Sequence, residues 1–201
     1  MGKRVSPLDL ALPAAVTTTD VDDDDLVARL RRGDRAAIGE AYAAHHGTVR
    51  GFARRLVGDD AAAEDIVHDT FVALPRAAGR FRGESSLRGF LIGVAANHAR
   101  RHIRAAARRR KAMERLGTTP LSNPPDPAQL TERQRLADRL LAALDRLPVD
   151  QRVAFVLCEV EQRTSVEVST ILGVPEGTVR TRTFHARRQL RALLVEEDPR
   201  G

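Results

Sequence analysis

The segment from Gln162 to Leu194, QRTSVEVSTILGVPEGTVRTRTFHARRQLRALL, admits few folds. Thr164 is placed to cap a helix, and Glu167 three residues on completes a capping box. Two backbone donors that a helix start leaves orphaned thereby gain acceptors. Val168, Ile171 and Leu172 share one face of that helix, and Gly173 supplies the backbone freedom that ends it. Pro175 suits the start of a second helix, where its missing N–H leaves no bond unmade. The second helix carries Thr178, Arg180, Thr181, Arg182, His185, Arg187, Arg188 and Arg191 with no acid between Glu176 and Leu194. Val179, Phe184, Leu190 and Leu194 remain to dock it. A short helix, a tight turn and an arginine-loaded second helix are the parts that reading a DNA major groove requires. A solvated basic helix on an ordinary bundle is the plain alternative, but capping, turn and charge agree on the first reading.

The rest of the chain supports a polyanionic partner. It has 33 Lys and Arg against 27 Asp and Glu, a net charge of +6, and only Lys3 and Lys111 among its bases are lysines. Arginine pairs bidentately with phosphate and guanine, so the bias suits nucleic acid, although a GC-rich genome produces the same bias. Aromatics are 3% and Trp is absent, which leaves Leu, Val, Ile and Ala to build the core. A single cysteine, Cys158, excludes an internal disulfide framework and any multi-cysteine zinc site, and its apolar run Val153 to Val160 marks it as a buried small hydrophobe. No stretch is apolar for long enough to span a membrane, and Asp9 and Pro13 break the only N-terminal run resembling a leader. A cytoplasmic protein without membrane insertion and without a cofactor is expected.

Helix punctuation divides the chain. Residues 1–20 lack periodicity and read as a flexible tail. The acidic cluster Asp22 to Asp25 opens a helix that Gly33 ends; Asp34 caps a longer one with Ile38, Ala41, Tyr42, Val49, Phe52 and Leu56 at helical spacing. Gly58 breaks that helix, and Asp59 or Asp60 starts a third with Ile66, Val67, Phe71 and Leu74 inward. Pro75 is expected to end or kink it. RFRGESS (80–86) reads as a loop, and Ser85 or Ser86 caps a fourth helix to about Arg110. Four prolines between Gly117 and Ala128 mark a semi-rigid linker. Beyond it Leu136, Leu140, Leu144 and Leu147 stripe one helix, Pro148 marks a turn, and Val153, Val156, Leu157 and Val160 stripe the next. The expected fold is all-α. Two small helical domains, residues 21–112 and 131–195, are joined by a Pro-rich linker at 113–130, with an acidic tail at 196–201.

Charge separates two surfaces. Between Arg76 and Arg115 stand twelve bases against Glu84 and Glu114, whereas Asp59 to Leu74 holds five acids and no Lys or Arg. A basic helix beside an acidic one suggests two different partners; alternating solvated faces are the plainer reading. Glu64 and His68 are four apart on one face, as metal ligands can be, but no second histidine cluster joins them. GRFRGES has two glycines but not the glycine-lysine-serine arrangement of a phosphate loop, and no catalytic triad can be assembled, so an enzyme is not expected.

Taken together these segments resemble a bacterial RNA polymerase sigma factor of the extracytoplasmic-function (ECF) type, within the sigma-70-like family. The likeness covers roughly Asp22 to Arg110 and Leu136 to Leu194. DLVARLRRGDRAAIGEAYAAHH resembles the family's opening helices, AEDIVHDTF (63–71) its polymerase-docking signature, and FRGESSLRGFLIGVAAN (81–97) its minus-ten segment. LDRLPVDQRVAFVL (144–157) and GVPEGTVRTR (173–182) resemble its minus-thirty-five domain. The resemblance implies that Asp65, His68, Asp69 and Phe71 grip the β′ clamp helices of the polymerase, and that the second domain meets the β flap. It implies that Phe81 and Asn97 capture an unstacked minus-ten base, with Phe90 beside them and Arg100, Arg101 and Arg104 on phosphates. It also implies that Arg180, Thr181, Phe184 and His185, with Thr178, read the minus-thirty-five element, while Arg182, Arg187 and Arg188 hold phosphates. Core RNA polymerase, promoter DNA and an anti-sigma factor follow as partners. Phe90 stands where the family usually has an indole, Ile92 where it has a tyrosine, and Gly93 where it has an arginine. A helix-turn-helix regulator that never joins polymerase, or a structural RNA-binding bundle, would explain the arginines. The regulator leaves the acidic AEDIVHDTF helix and the FRGESS loop unexplained, and the RNA-binding bundle leaves the helix-turn-helix without a use.

Overall fold

The computed structural model describes residues 20–81, 83, 85–116 and 132–196, and the described residues contain helices and no strand. The first domain holds α1 (Asp20–Arg31), α2 (Arg35–Val57), α3 (Asp60–Ala78) and α4 (Leu87–Arg115); the second holds α5 (Glu132–Asp145), α6 (Val149–Phe155), α7 (Ser165–Leu172) and α8 (Glu176–Glu196). The 1–19 tail, the proline-rich stretch 117–131 and the acidic end 197–201 lie outside the described residues.

Local chemistry sets the helix starts. The Asp34 carboxylate accepts from the Ala36 N–H, Asp59 from Ala62, and Ser86 from Gly89, each satisfying a donor that the first turn leaves open. Gly58 ends α2 at φ 73°, a left-handed geometry that disfavours a side chain. Leu30, Val49, Phe52, Leu56, Ile66, Val67, Leu74, Leu87 and Leu91 then close one apolar core. Arg29 staples α1 to α2 by donating to both oxygens of Glu40, at 2.7 and 2.8 Å, and to Asp34 at 2.9 Å.

Two expectations about helix ends are corrected. Pro75 does not end α3, which runs a further turn to Ala78 because Leu74 and Ala78 are both buried and anchor that turn in the core. Helix α4 extends past Arg110 to Arg115, taking up the first residues assigned to the linker, because no breaker precedes Gly117. The leucine stripe of α5 is also shorter than expected: Leu136 is exposed, while Leu144 and Leu147 are buried against Ala186, Leu190 and Leu193.

The second domain lies directly against the first. Val153, Val156, Leu157, Val168 and Val179 belong to the same buried cluster as the α2–α4 core, and Ile171 and Leu172 pack on it half-buried. Helix α6 starts after Pro148 and widens over Val156–Val160, where the Glu161 N–H donates to the Val156 carbonyl five residues back at 2.9 Å. Cys158 sits in this widened turn half-buried rather than fully buried. A Cβ placed at Gly93 would stand 2.6 Å from the Ile171 carbonyl oxygen. The glycine lets α4 and the end of α7 meet.

Candidate nucleic-acid interface

The helix-turn-helix is built as its sequence implies. Thr164 Oγ1 accepts from the Glu167 N–H, and the Glu167 carboxylate accepts in return from the Thr164 N–H at 2.8 Å, which holds that carboxyl below its usual range. Gly173 closes α7 at φ 63°, and Ser169 Oγ donates to the Val174 carbonyl at 2.7 Å across the turn. Glu176 at the head of α8 accepts from Ser165 Oγ at 2.7 Å and from Arg180 Nη2 at 2.6 Å, tying the two helices together. These two hydrogen bonds, Ser165 first, hold the Glu176 carboxyl below the ordinary range.

Helix α8 turns Val179, Thr183, Ala186 and Leu190 inward. Arg180, Thr181, Phe184, Arg187 and Arg188 therefore form one outward stripe. Arg180 is 71% exposed in its side chain and Phe184 60% exposed, so both are available to a groove. Phe184 is thus not a docking residue, and its ring stands 5.6 Å from that of half-buried His185. Thr178 is half-buried at the start of the stripe. Arg182 leaves the stripe and points to Asp150, 3.7 Å away. Arg187 pairs with Glu159.

In the first domain the expected minus-ten residues separate. Asn97 is exposed on α4, its Oδ1 accepting from Arg100 Nη1 at 2.9 Å. Arg100 and Arg104, one turn apart, face the second domain, whereas Arg101 lies on the other side of α4 in a groove shared with α3. Phe81 does not offer its ring: it is 9% exposed in the core, tilted against Phe90 at 5.0 Å, and its carbonyl accepts from Arg31. The Ser86 cap starts α4, whose half-buried Phe90 lies against the Phe81 ring. Burial lowers the Arg100 guanidinium from its ordinary value, with Asp150 opposing the shift.

The acidic helix presents Asp65, His68 and Asp69 outward while Ile66, Val67 and Thr70 turn in. Phe71 belongs with the inward set, 6% exposed and edge-on to Tyr42 at 4.9 Å, and shapes the helix from behind. A groove of about 630 Å³ runs between α3 and α4, lined from α3 by Asp65, Asp69, Val72 and Arg76 and from α4 by His98 and Arg101. His98 in that groove has its imidazole pushed down chiefly by burial, then by Arg101, with Asp69 at 3.5 Å pulling the other way. Glu64 pairs with Arg50 and lies 3.6 Å from His46, away from His68.

Asp150 and Arg152 were not singled out from the sequence, yet they join the two domains. Arg152 had a signal. It falls on the stripe Val149, Arg152, Val153, Val156, Leu157, where a charge implies a buried partner.

A capped helix-turn-helix with an exposed basic stripe, beside a second arginine-rich helix, is the arrangement of a DNA-binding protein. Residues 41–109 match the model for Sigma-70 region 2, and residues 137–190 that for Sigma-70, region 4. The chain is 34% identical over 174 residues to RNA polymerase sigma factor CarQ of Myxococcus xanthus, covering 84% of this chain and 95% of CarQ. It is 31% identical over 172 residues to ECF RNA polymerase sigma factor SigM of Mycobacterium tuberculosis, covering 86% of this chain and 84% of SigM. In fold it is similar to the sigma factor RpoE of Bartonella quintana, solved in complex with the anti-sigma factor NepR, with a TM-score of 0.58 and 23% identity over 80% of this chain and 98% of RpoE. The chain belongs to the ECF sigma factors, the non-enzymatic subunits that bind core RNA polymerase and direct it to promoters. Among the described residues no helix is long and apolar enough to cross a membrane.

Proposed function

We propose that α4 reads the minus-ten element and α8 the minus-thirty-five element, while the outer face of α3 docks the β′ clamp helices of the polymerase. The observation that carries this is the outward stripe Arg180, Thr181, Phe184, Arg188 on a helix whose opposite face is buried. Arg180 sits at the helix end that enters a groove first, and Phe184 can meet a thymine methyl. Thr178 and His185 flank these readers, and Arg187 and Arg188 lie nearly two turns on, suited to phosphates. On α4, exposed Asn97 offers an amide to an unpaired base edge, and Arg100, Arg101 and Arg104 offer phosphate contacts. Phe90 and Phe81 support this surface from beneath rather than stacking on the base. Asp65, His68 and Asp69 steer α3 to a basic partner surface, and the second domain meets the β flap. The protein works in the cytoplasm, on the nucleoid when in holoenzyme, and is held in check by an anti-sigma factor.

The test is strand opening. In holoenzyme, Asn97→Ala should lower permanganate reactivity of promoter thymines severalfold while binding to closed duplex changes less. Phe81→Ala should instead lower thermal stability, by about 3–5 kcal/mol for a buried aromatic. Equal thymine reactivity in wild type and Asn97→Ala removes Asn97 from the minus-ten site.

A further inference from the structure

The two helices of the helix-turn-helix begin on one side-chain cluster. Ser165 is the first residue of α7 and Glu176 the first of α8, and Glu176 Oε1 accepts from Ser165 Oγ at 2.7 Å. The same oxygen accepts from Arg180 Nη2 at 2.6 Å, and Ser165 Oγ lies 3.5 Å from Arg180 Nε. An acid one turn before a base is the favoured order for such a pair on a helix. Local chemistry holds the cluster in place. Thr164 and Glu167 fix the start of α7, and Gly173 at φ 63° sets the turn that brings α8 beside it. Arg180 is 71% exposed in its side chain, yet its tip is tied. Its Nε–Nη2 edge faces the protein, and Nη1 is the nitrogen left to the outside.

We propose that Glu176 is a positioning residue for minus-thirty-five recognition: it presets the Arg180 guanidinium toward one base pair and so determines specificity without touching DNA. This role rests on the assignment of Arg180 as a reader. An untethered arginine on a helix surface samples many rotamers and reaches a phosphate as readily as a base edge. A guanidinium held in one orientation has less freedom to lose when it meets the right base. Charge supports the same role. Glu176 is the only acid between Pro175 and Val195, on a helix that meets a polyanion. A carboxylate there opposes every DNA sequence alike. A group that weakens all binding but orients one reader raises the ratio of right to wrong sequences, which is what specificity measures. Its side chain is 35% exposed, and one of its oxygens already accepts twice from the protein.

The test forms holoenzyme with wild type, Glu176→Gln, Arg180→Ala and the double variant. Each selects from a duplex pool carrying one promoter that this protein directs, with the minus-thirty-five element randomised. Sequencing bound and unbound duplexes gives the preference at every position. Arg180→Ala marks the base pair that Arg180 reads. At that position Glu176→Gln should cut the ratio of best to worst base about threefold or more. Other positions should keep their preferences, and the unselected pool should bind as tightly as to wild type or more so. In the Arg180→Ala background Glu176→Gln should change no preference, because nothing remains to be positioned. Uniform weakening by Glu176→Gln, or a loss of preference that persists without Arg180, overturns the proposal. The second result would make Glu176 itself a reader, accepting from a cytosine amino group. If Arg180→Ala loses no preference anywhere, the reader assignment falls and the proposal with it. A loss in Arg180→Ala with none in Glu176→Gln overturns the positioning role alone. Should Glu176→Gln lose helicity by circular dichroism, Ser165→Ala decides. It leaves the charge, removes the other hold on the carboxylate, and should cut the same ratio about twofold; an unchanged ratio overturns the role.

Discussion

The two domains solve the same problem differently. The first builds one core from four helices and keeps its exposed charged side chains apart from it, so that α3 turns Ile66, Val67 and Thr70 in and Asp65, His68 and Asp69 out. The second has only a small core of its own, Ala143, Leu144, Leu147, Ala186, Leu190 and Leu193. Its remaining buried residues, Val153, Val156, Leu157, Val168 and Val179, join the core of the first domain. A domain with its own core can carry a docking face without structural cost. A domain that borrows burial must rely on local devices, the Thr164–Glu167 box and the Glu176 bridge, whenever it stands away from its neighbour.

The sharpest test of the first half of this contrast reverses charge on α3. Asp65→Arg with Asp69→Arg should weaken binding to core polymerase by about 2–4 kcal/mol, the scale of like charges juxtaposed across an interface. Thermal stability should barely change, because both side chains are exposed. Titration of labelled core polymerase measures the first quantity and calorimetry the second. A large loss of stability would show that the docking face and the core are not separate after all.

On α8 the contrast becomes one between readers and anchors. Arg180→Ala should relax preference at one base pair of the minus-thirty-five element by about 1–3 kcal/mol if its fork meets a guanine. Arg188→Ala should weaken all sequences alike and lower the salt slope by about one unit. Holoenzyme on single-base promoter variants separates them. The same uniform loss from both would reduce α8 to a basic anchor.

What was legible in the sequence was local. Asp34, Asp59, Ser86 and Thr164 cap helices because the acceptor and the donors it serves are within three residues of each other. Gly58 and Gly173 end helices for an equally local reason. What depends on distant partners was not legible. Phe81 and Phe71 read as candidate contact residues, but whether an aromatic ring meets a base or a neighbouring ring depends on the loop and helix that fold over it. Arg100, Arg101 and Arg104 read as one basic group, and only the packing of α3 on one side of α4 and α6 on the other divides them. Pro75 read as a stop or a kink, and that α3 runs on through it depends on the burial of Leu74 and Ala78. Gly93 stood out only as a departure from its family; its use appears when Ile171, far along the chain, comes into contact.

The smallest predicted effect bears on the second domain's local devices. Thr164→Ala removes the acceptor for the Glu167 N–H and should cost about 1 kcal/mol, as loss of a helix cap typically does. The Glu167 carboxyl is held below its ordinary range first by the Thr164 N–H, then by the Thr164 hydroxyl, and also by Arg163. A carboxylate whose folded-state pKa is depressed contributes stability that is full above its unfolded value, about 4.3, and is lost as pH falls through the folded one. Wild type should therefore lose part of its second-domain stability on acidification below about pH 4.3, and Glu167→Gln should lose less over the same interval. Hydrogen exchange of the α7 amides at pH 6 and pH 4 measures this directly. If the first domain's α2 amides, whose Asp34 cap is likewise depressed by Arg29 and the Ala36 N–H, exchange faster by an equal factor, capping matters no more where burial is borrowed than where it is owned. A faster change confined to α7 shows that the second domain depends on its caps, as its divided core requires.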